Sequence, residues 1–185
     1  MIEIHYSTIF IVISVIWLIT RGIVWRKNKK MDWKRELQLF LVYICIVVIA
    51  RFTFCPFGKV DGKIQPLLFD VSRIFPPRIN LVPFVHMNDY AIKREAILNF
   101  VGNTAMFIPV GIVYPYVYKE LNTHKKVIAA GVGFAFGIEI LQLFFFDRVT
   151  DIDDLILNSL GYLIGYGIYL LVKKDRKKVS MKYYQ

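Results

Sequence analysis

The chain has 185 residues, 56% hydrophobic and 16% aromatic, with a mean hydropathy of +0.48; an ordinary soluble domain is about 45–50% apolar. The formal charge is +10, from 24 Lys and Arg against 14 Asp and Glu. Long apolar runs separate these charges, which excludes a disordered chain, a nucleic-acid tail protein and a disulfide scaffold, and makes the bilayer the expected partner rather than nucleic acid.

A transmembrane helix needs about 20 mainly apolar residues, and five stretches supply them. The first runs from Ile4 to Ile23. Its flank, MIEIHY, lacks Lys and Arg, and the basic cluster follows the apolar run instead. That order is the reverse of a secretory signal, so a retained span is expected. The segment Arg21 to Glu36 then carries seven basic residues, including RKNKK. The second span, Leu37 to Phe54, contains Arg51. Cys45 and Cys55 lie on or beside this helix, about 15 Å apart, beyond disulfide reach.

The loop from 55 to 95 holds five of the seven prolines. Within it, Pro66 to Phe75 reads as an amphipathic helix with Leu67, Leu68, Val71, Ile74 and Phe75 on one face, begun by Pro66 and ended by Pro76-Pro77. Such a segment lies in the headgroup plane. The turn NLVPF, Asn80 to Phe84, is apolar and enters a bilayer only if buried in protein.

The third span, Ala96 to Tyr118, starts one turn after Glu95. Asn99 and Asn103 share its stripe by i, i+4 spacing, and Pro109 is expected to kink it. The fourth, Val127 to Phe146, carries Glu139 and Gln142 on one face, and a carboxylate at that depth is paired, protonated or facing water. The segment DRVTDIDD then leads to the fifth span, Leu155 to Val172. Asp151, Asp154 and Asn158 fall on one stripe, while Asp153 points elsewhere. Gly133 with Gly137, and Gly161 with Gly165, are two GxxxG pairs expected at helix contacts.

Of the 24 basic residues, 16 fall in the first loop, the turn Lys119 to Lys126 and the tail after Val172. Cytoplasmic segments carry such an excess. The expected fold is therefore all-α: a five-span transmembrane bundle, N-terminus outside, C-terminus cytoplasmic, with an extracytoplasmic amphipathic loop. Its parts are 1–36 (first span and basic loop), 37–172 (a four-span core with outer loop 55–95) and 173–185 (a basic tail). Asn99, Asn103, Glu139, Gln142, Arg148, Asp151, Asp154 and Asn158 all fall in the outer half, which points to an outward-opening polar pocket. Arg148 stands where its guanidinium can bridge Asp151 and Asp154 or meet a ligand anion. The acidic spacing does not match a calcium loop. With no P-loop, HExxH, CxxC or GxSxG in the chain, neither a metal nor a cofactor is expected.

The order NLVPF, NFVGNTAMFIPVG and GIEILQLFFFDRVTDIDDLILNSLGYLIGY, from Asn80 to Tyr166, resembles the VanZ-like family of bacterial membrane proteins. The resemblance carries over Asn80, Pro83 and Phe84; Asn99, Asn103, Phe107, Pro109 and Gly111; Glu139 and Gln142; and Arg148, Asp151, Asp154, Asn158 and Gly161. Tyr162 stands where many relatives have a small residue. The resemblance implies a multi-pass protein of the bacterial plasma membrane. It also implies a link to low-level resistance to teicoplanin, a glycopeptide antibiotic, but no reaction. Three functions follow. The first is a binding protein for an envelope component or a lipidated glycopeptide. The second is an enzyme on a lipid-linked envelope precursor, with Glu139 as the best acid or base and Arg51 and Arg148 holding a phosphate. The third is a small transporter, which the lack of an inverted repeat weakens. No nucleophile stands beside a base, so the enzyme ranks behind the binding protein.

Overall fold

The computed structural model describes residues 2–28, 31–54, 59–60, 63–75, 77–84, 93–146 and 148–182. Expectations resting on Cys55, Pro76 and Asp147, on Lys29 and Lys30, and on the side chain of Glu95 lie outside the described residues. The fold is mostly helical: α1 (Tyr6–Asn28), α2 (Trp33–Phe54), α3 (Lys93–Val117), α4 (His124–Gln142) and α5 (Ile152–Lys182). Four of them, α1, α2, α3 and α5, are long and apolar enough to cross a membrane, with mean hydropathies of 1.5 to 2.2 over their best windows. In hydrocarbon every backbone polar group must be satisfied within its own segment, which selects helix for such runs. The strands are two or three residues long.

The chain divides into two compact units, Met1–Asn80 with Glu139–Thr150, and Leu81–Ile138 with Asp151–Gln185. In the first, α1 and α2 meet through large side chains. The Ser14 and Tyr43 hydroxyls are 2.8 Å apart, and the Trp17 ring lies 5.2 Å from that of Tyr43 and 6.0 Å from that of Phe40. Arg21 grips the Glu36 carboxylate with Nε, at 2.8 Å, and with a second guanidinium nitrogen. No residue of α1 is buried, whereas α2 buries Val42, Cys45, Ile49, Ala50, Thr53 and Phe54.

Strand pairing organises the rest of this unit. The N-terminal β1 (Ile2–Ile4) runs antiparallel to β4 (Leu67–Phe69), Ile2 opposite Phe69 and Ile4 opposite Leu67. The chain start and the loop after α2 therefore share one end of the unit. A small hairpin, β2 (Lys59–Val60) with β3 (Lys63–Ile64), precedes β4. The other side of β4 takes the phenylalanine run: the Phe146 N–H donates to Leu68 O at 2.8 Å and the Asp70 N–H to Phe144 O at 3.0 Å.

This pairing corrects two expectations. Pro66 to Phe75 is not one amphipathic helix: Leu67–Phe69 is extended, and only Val71–Ile74 forms a 3-10 turn, capped by the Asp70 carboxylate at the Ser72 N–H. Leu67 is buried, while Val71 and Phe75 are exposed, so they share no face. The fourth apolar stretch does not stay helical to Phe146. It tightens into i to i+3 bonds from Leu143 N to Ile140 O and Phe145 N to Gln142 O, and α4 ends at Gln142. The backbone of Phe144 and Phe146 is engaged with β4. Its apolar part, Val127 to Gln142, is about 24 Å long at 1.5 Å per residue, and α4 is not among the four helices that meet the length and hydropathy needed to cross.

In the second unit α3 and α5 pack backbone to backbone. A methyl group on Gly161 would overlap the Thr104 carbonyl, one on Gly165 the Ile108 carbonyl, and one on Gly111 the Tyr162 carbonyl. Residue numbers rise together along this seam, so the two helices are parallel. The segment between them, which includes α4, returns the chain to its starting level. The expected contact through Gly161 and Gly165 is thus present. That through Gly133 and Gly137 is not found among the described residues, where a Cβ on either would meet nothing within 4 Å. On α4 the contact glycine is Gly131, which lies under the ring of Tyr162. The Tyr162 ring also meets Tyr114 edge-on at 6.2 Å. A large residue on α5 is accommodated by an absent side chain on α4.

Candidate functional site

The polar residues expected to act together are divided between the units. Arg51, Glu139, Gln142 and Arg148 lie in the first; Asn99, Asn103, Asp151, Asp154 and Asn158 lie in the second.

In the second unit the glycine seam brings two short side chains into contact. The Asn103 carboxamide donates to Asn99 Oδ1 at 3.0 Å and to Asp154 Oδ1 across the seam. A carboxamide has two N–H donors, and these two bonds use both. One turn further along α5 sits Asn158, 2% exposed, with no partner for its side-chain oxygen among the described residues. Its neighbours on the stripe, Asp154 and Gly161, both meet α3, so Asn158 belongs to the α3-facing side. Thr104 Oγ1, on α3, is likewise buried without a partner among the described residues. Buried polar atoms are nearly always hydrogen-bonded, which makes both of these exceptions to that rule.

The start of α5 is built from its aspartates. Asp151 Oδ1 accepts the Asp153 N–H at 2.9 Å, which satisfies a free first-turn amide and sets negative charge at the positive end of the helix. Asp153, expected to point elsewhere, accepts the Phe84 N–H with both oxygens, at 2.9 and 3.1 Å. Phe84 has φ +60°, a left-handed conformation that costs a bulky residue roughly 1–3 kcal/mol. A hydrogen bond to a charged group contributes about 1.5–3 kcal/mol and offsets it. The turn so held is not buried: Leu81 is 71%, Val82 58% and Phe84 49% exposed.

In the first unit Glu139 and Gln142 are 2% and 5% exposed on the last turn of α4. The Thr150 hydroxyl donates to the Glu139 carbonyl at 2.8 Å, capping a helix end that its own amides leave open. The Gln142 side-chain oxygen has no partner among the described residues. The Arg51 guanidinium lies 5.5 Å over the Tyr6 ring, a cation–π arrangement. Arg148 is half-buried, its N–H donating to Phe145 O at 3.3 Å. A cavity of about 150 Å³ opens among Ile4, His5, Tyr6, Phe54, Ile64, Gln65 and Leu67, lined by none of the expected site residues. Among the described residues no three His, Cys, Asp or Glu side chains are grouped to hold a metal.

Sequence reasoning missed Asp153 and Thr150. Asp153 acts on a backbone amide 69 positions away, and Thr150 on a carbonyl 11 positions away; for Asp153 the local signal was a surplus of acids beyond what helix capping needs.

A family model described as VanZ/LLP1 matches residues 40–173. Among curated proteins, the chain is 28% identical over 110 residues to the uncharacterized membrane protein YwnJ of Bacillus subtilis (strain 168), covering 59% of this chain and 76% of that protein. It is 30% identical over 120 residues to the protein VanZ of Enterococcus faecium, covering 64% of this chain and 70% of that one. No solved structure matches it.

Proposed function

The chain belongs to the VanZ/LLP1 family, and from that premise we propose that it is a multi-pass plasma-membrane protein that binds a cell-envelope component at the outer end of α3 and α5 and thereby gives low-level protection against a glycopeptide such as teicoplanin. The similarity to VanZ supports the family role. The observation that carries the site is the chain of side chains Asn99–Asn103–Asp154, set in a seam whose glycines hold two backbones in contact. Three short polar residues can be ordered this way inside a membrane only if rigid packing supports them. The basic residues gathered in the first loop, the α3–α4 turn and the tail favour an outward site.

The test is survival of a teicoplanin-sensitive bacterium expressing the full chain, normalised to membrane abundance. Asn103→Ala and Asp154→Asn should each remove most of the protection, and the double variant should add little. Full protection in both variants at normal abundance would refute the site. A second reading, an enzyme acting on a lipid-linked precursor, is favoured by Glu139, a carboxylate only 2% exposed one turn from Gln142. Glu139→Gln keeps the shape and removes the proton-transfer group. Undiminished protection in that variant would dismiss acid–base chemistry.

A further inference from the structure

The two ends of α5 carry opposite charge. It begins with Asp153 and Asp154, and its apolar window closes at Lys173 and Lys174. Asp154 and Lys173 are about 28 Å apart along the axis at 1.5 Å per residue, close to the roughly 30 Å of a hydrocarbon core. The lysines therefore mark the opposite boundary. Because α3 runs parallel to α5 and its apolar window closes at Val117, the turn Lys119 to Lys126 stands at this end too. That turn holds three lysines against one acid, Glu120, and Lys173 to Lys178 holds five basic residues against one acid, Asp175.

A chain of ring contacts ties the two basic segments together. The Tyr166 hydroxyl lies 2.8 Å from His124 Nδ1 at the start of α4, the Tyr166 ring stacks on that of Tyr169 at 6.3 Å, and the Lys173 ammonium lies 5.6 Å over the Tyr169 ring. Tyr166, Tyr169 and Lys173 share one face of α5 by their spacing, and that face is the one turned to His124. Lys125 and Lys126 follow His124 directly. All three lysines are exposed, and among the described residues none of them is in an ion pair. Lys126 donates to Asn122 Oδ1 at 3.2 Å, a neutral group that leaves its charge uncompensated. We propose that this end of the second unit binds an anionic phospholipid, its headgroup held by Lys125, Lys126 and Lys173 and an acyl chain lying along α4. This is a second site, at the far end of the helices from Asn103 and Asp154, and it does not depend on theirs.

What lies beneath the charges selects a lipid. Ile128, Val132 and Phe136 follow Lys125 at helical spacing on one stripe of α4 and are 40%, 39% and 53% exposed. A lysine at the head of an exposed apolar stripe, set where hydrocarbon ends, matches a molecule that carries its charge and its chain in the same order. A nucleic acid or an acidic peptide would meet the lysines and leave the stripe uncovered. The headgroup must be negative overall, because the choline or ethanolamine cation of a zwitterionic lipid is repelled by the lysines that attract its phosphate.

The test offers the detergent-purified full chain phosphatidylglycerol and phosphatidylcholine of identical acyl composition and reads retained lipid by native mass spectrometry. Phosphatidylglycerol should be retained about tenfold over phosphatidylcholine, the order that one to two lysines make at an anionic lipid. The triple variant Lys125→Gln, Lys126→Gln, Lys173→Gln should bring the two lipids to within about twofold. Arg26→Gln, Lys27→Gln, Lys34→Gln removes the same charge from exposed positions of the first unit and should leave the preference intact. Phe136→Ala should lower retention of both lipids with their order unchanged, and glycerol phosphate in excess should not displace phosphatidylglycerol. Equal retention of the two lipids by the parent, an unchanged preference in the lysine triple variant, or an equal loss in both triple variants would overturn the site. Displacement by glycerol phosphate, or unchanged retention in Phe136→Ala, would overturn the lipid in favour of a free phosphate. If the lysine triple variant fails to accumulate, Lys125→Gln alone gives the same readout, with the preference expected to fall about threefold.

Discussion

The helix pair α1–α2 and the helix pair α3–α5 are both apolar antecedents of a membrane fold, yet they are built on opposite plans. The first is joined by bulk and charge: Ser14 on Tyr43, Trp17 between Phe40 and Tyr43, Arg21 on Glu36. Large side chains keep those backbones apart, and no residue of α1 is buried. The second is joined by the absence of side chains, at Gly111, Gly161 and Gly165. There short polar groups such as Asn103 and Asp154 reach each other. Close backbone approach is what allows a helix pair to present a defined polar site, and the family match, 40–173, contains all of α3 and α5 as far as residue 173, but none of α1.

Substitutions sharpen that contrast. The largest loss is expected from Gly161→Ala, whose methyl would strike backbone that cannot rotate away. Overpacking of this kind costs about 1–3 kcal/mol or more, and the variant should show a clearly lower aggregation temperature in detergent together with lost protection. Next is Arg21→Ala, which leaves Glu36 without its two-point partner and should cost about 1–2 kcal/mol by the same assay, with protection per folded molecule retained. Ser14→Ala should cost about 0.5–1 kcal/mol, the net contribution of one neutral hydrogen bond. The smallest effect belongs to Gly133→Ala and Gly137→Ala, since a Cβ there has open space; both should fall within about 0.5 kcal/mol of the parent. If Gly133→Ala destabilised as much as Gly161→Ala, GxxxG spacing rather than observed contact would be the better guide.

Hydropathy alone located the apolar helices, because a helix crossing hydrocarbon depends on a property summed over about twenty residues and tolerates errors of a turn at either end. The stripe Asn99–Asn103 was equally open to reading, since i, i+4 neighbours are fixed by helix geometry whatever surrounds them, and the glycines of α5 marked its contact face. Tertiary structure alone decided the rest. Whether GxxxG on α4 is a contact, and whether Tyr162 disturbs the packing, depended on Gly131 lying beneath its ring. Where α4 ends depended on β4, about 75 residues earlier in the chain, engaging the backbone of Phe144 and Phe146. The part played by Asp153 depended on a single amide at Phe84, 69 positions away. Each of these is a pairing of backbone or ring atoms between distant segments, and such a pairing leaves no periodicity in either segment by which a sequence could announce it.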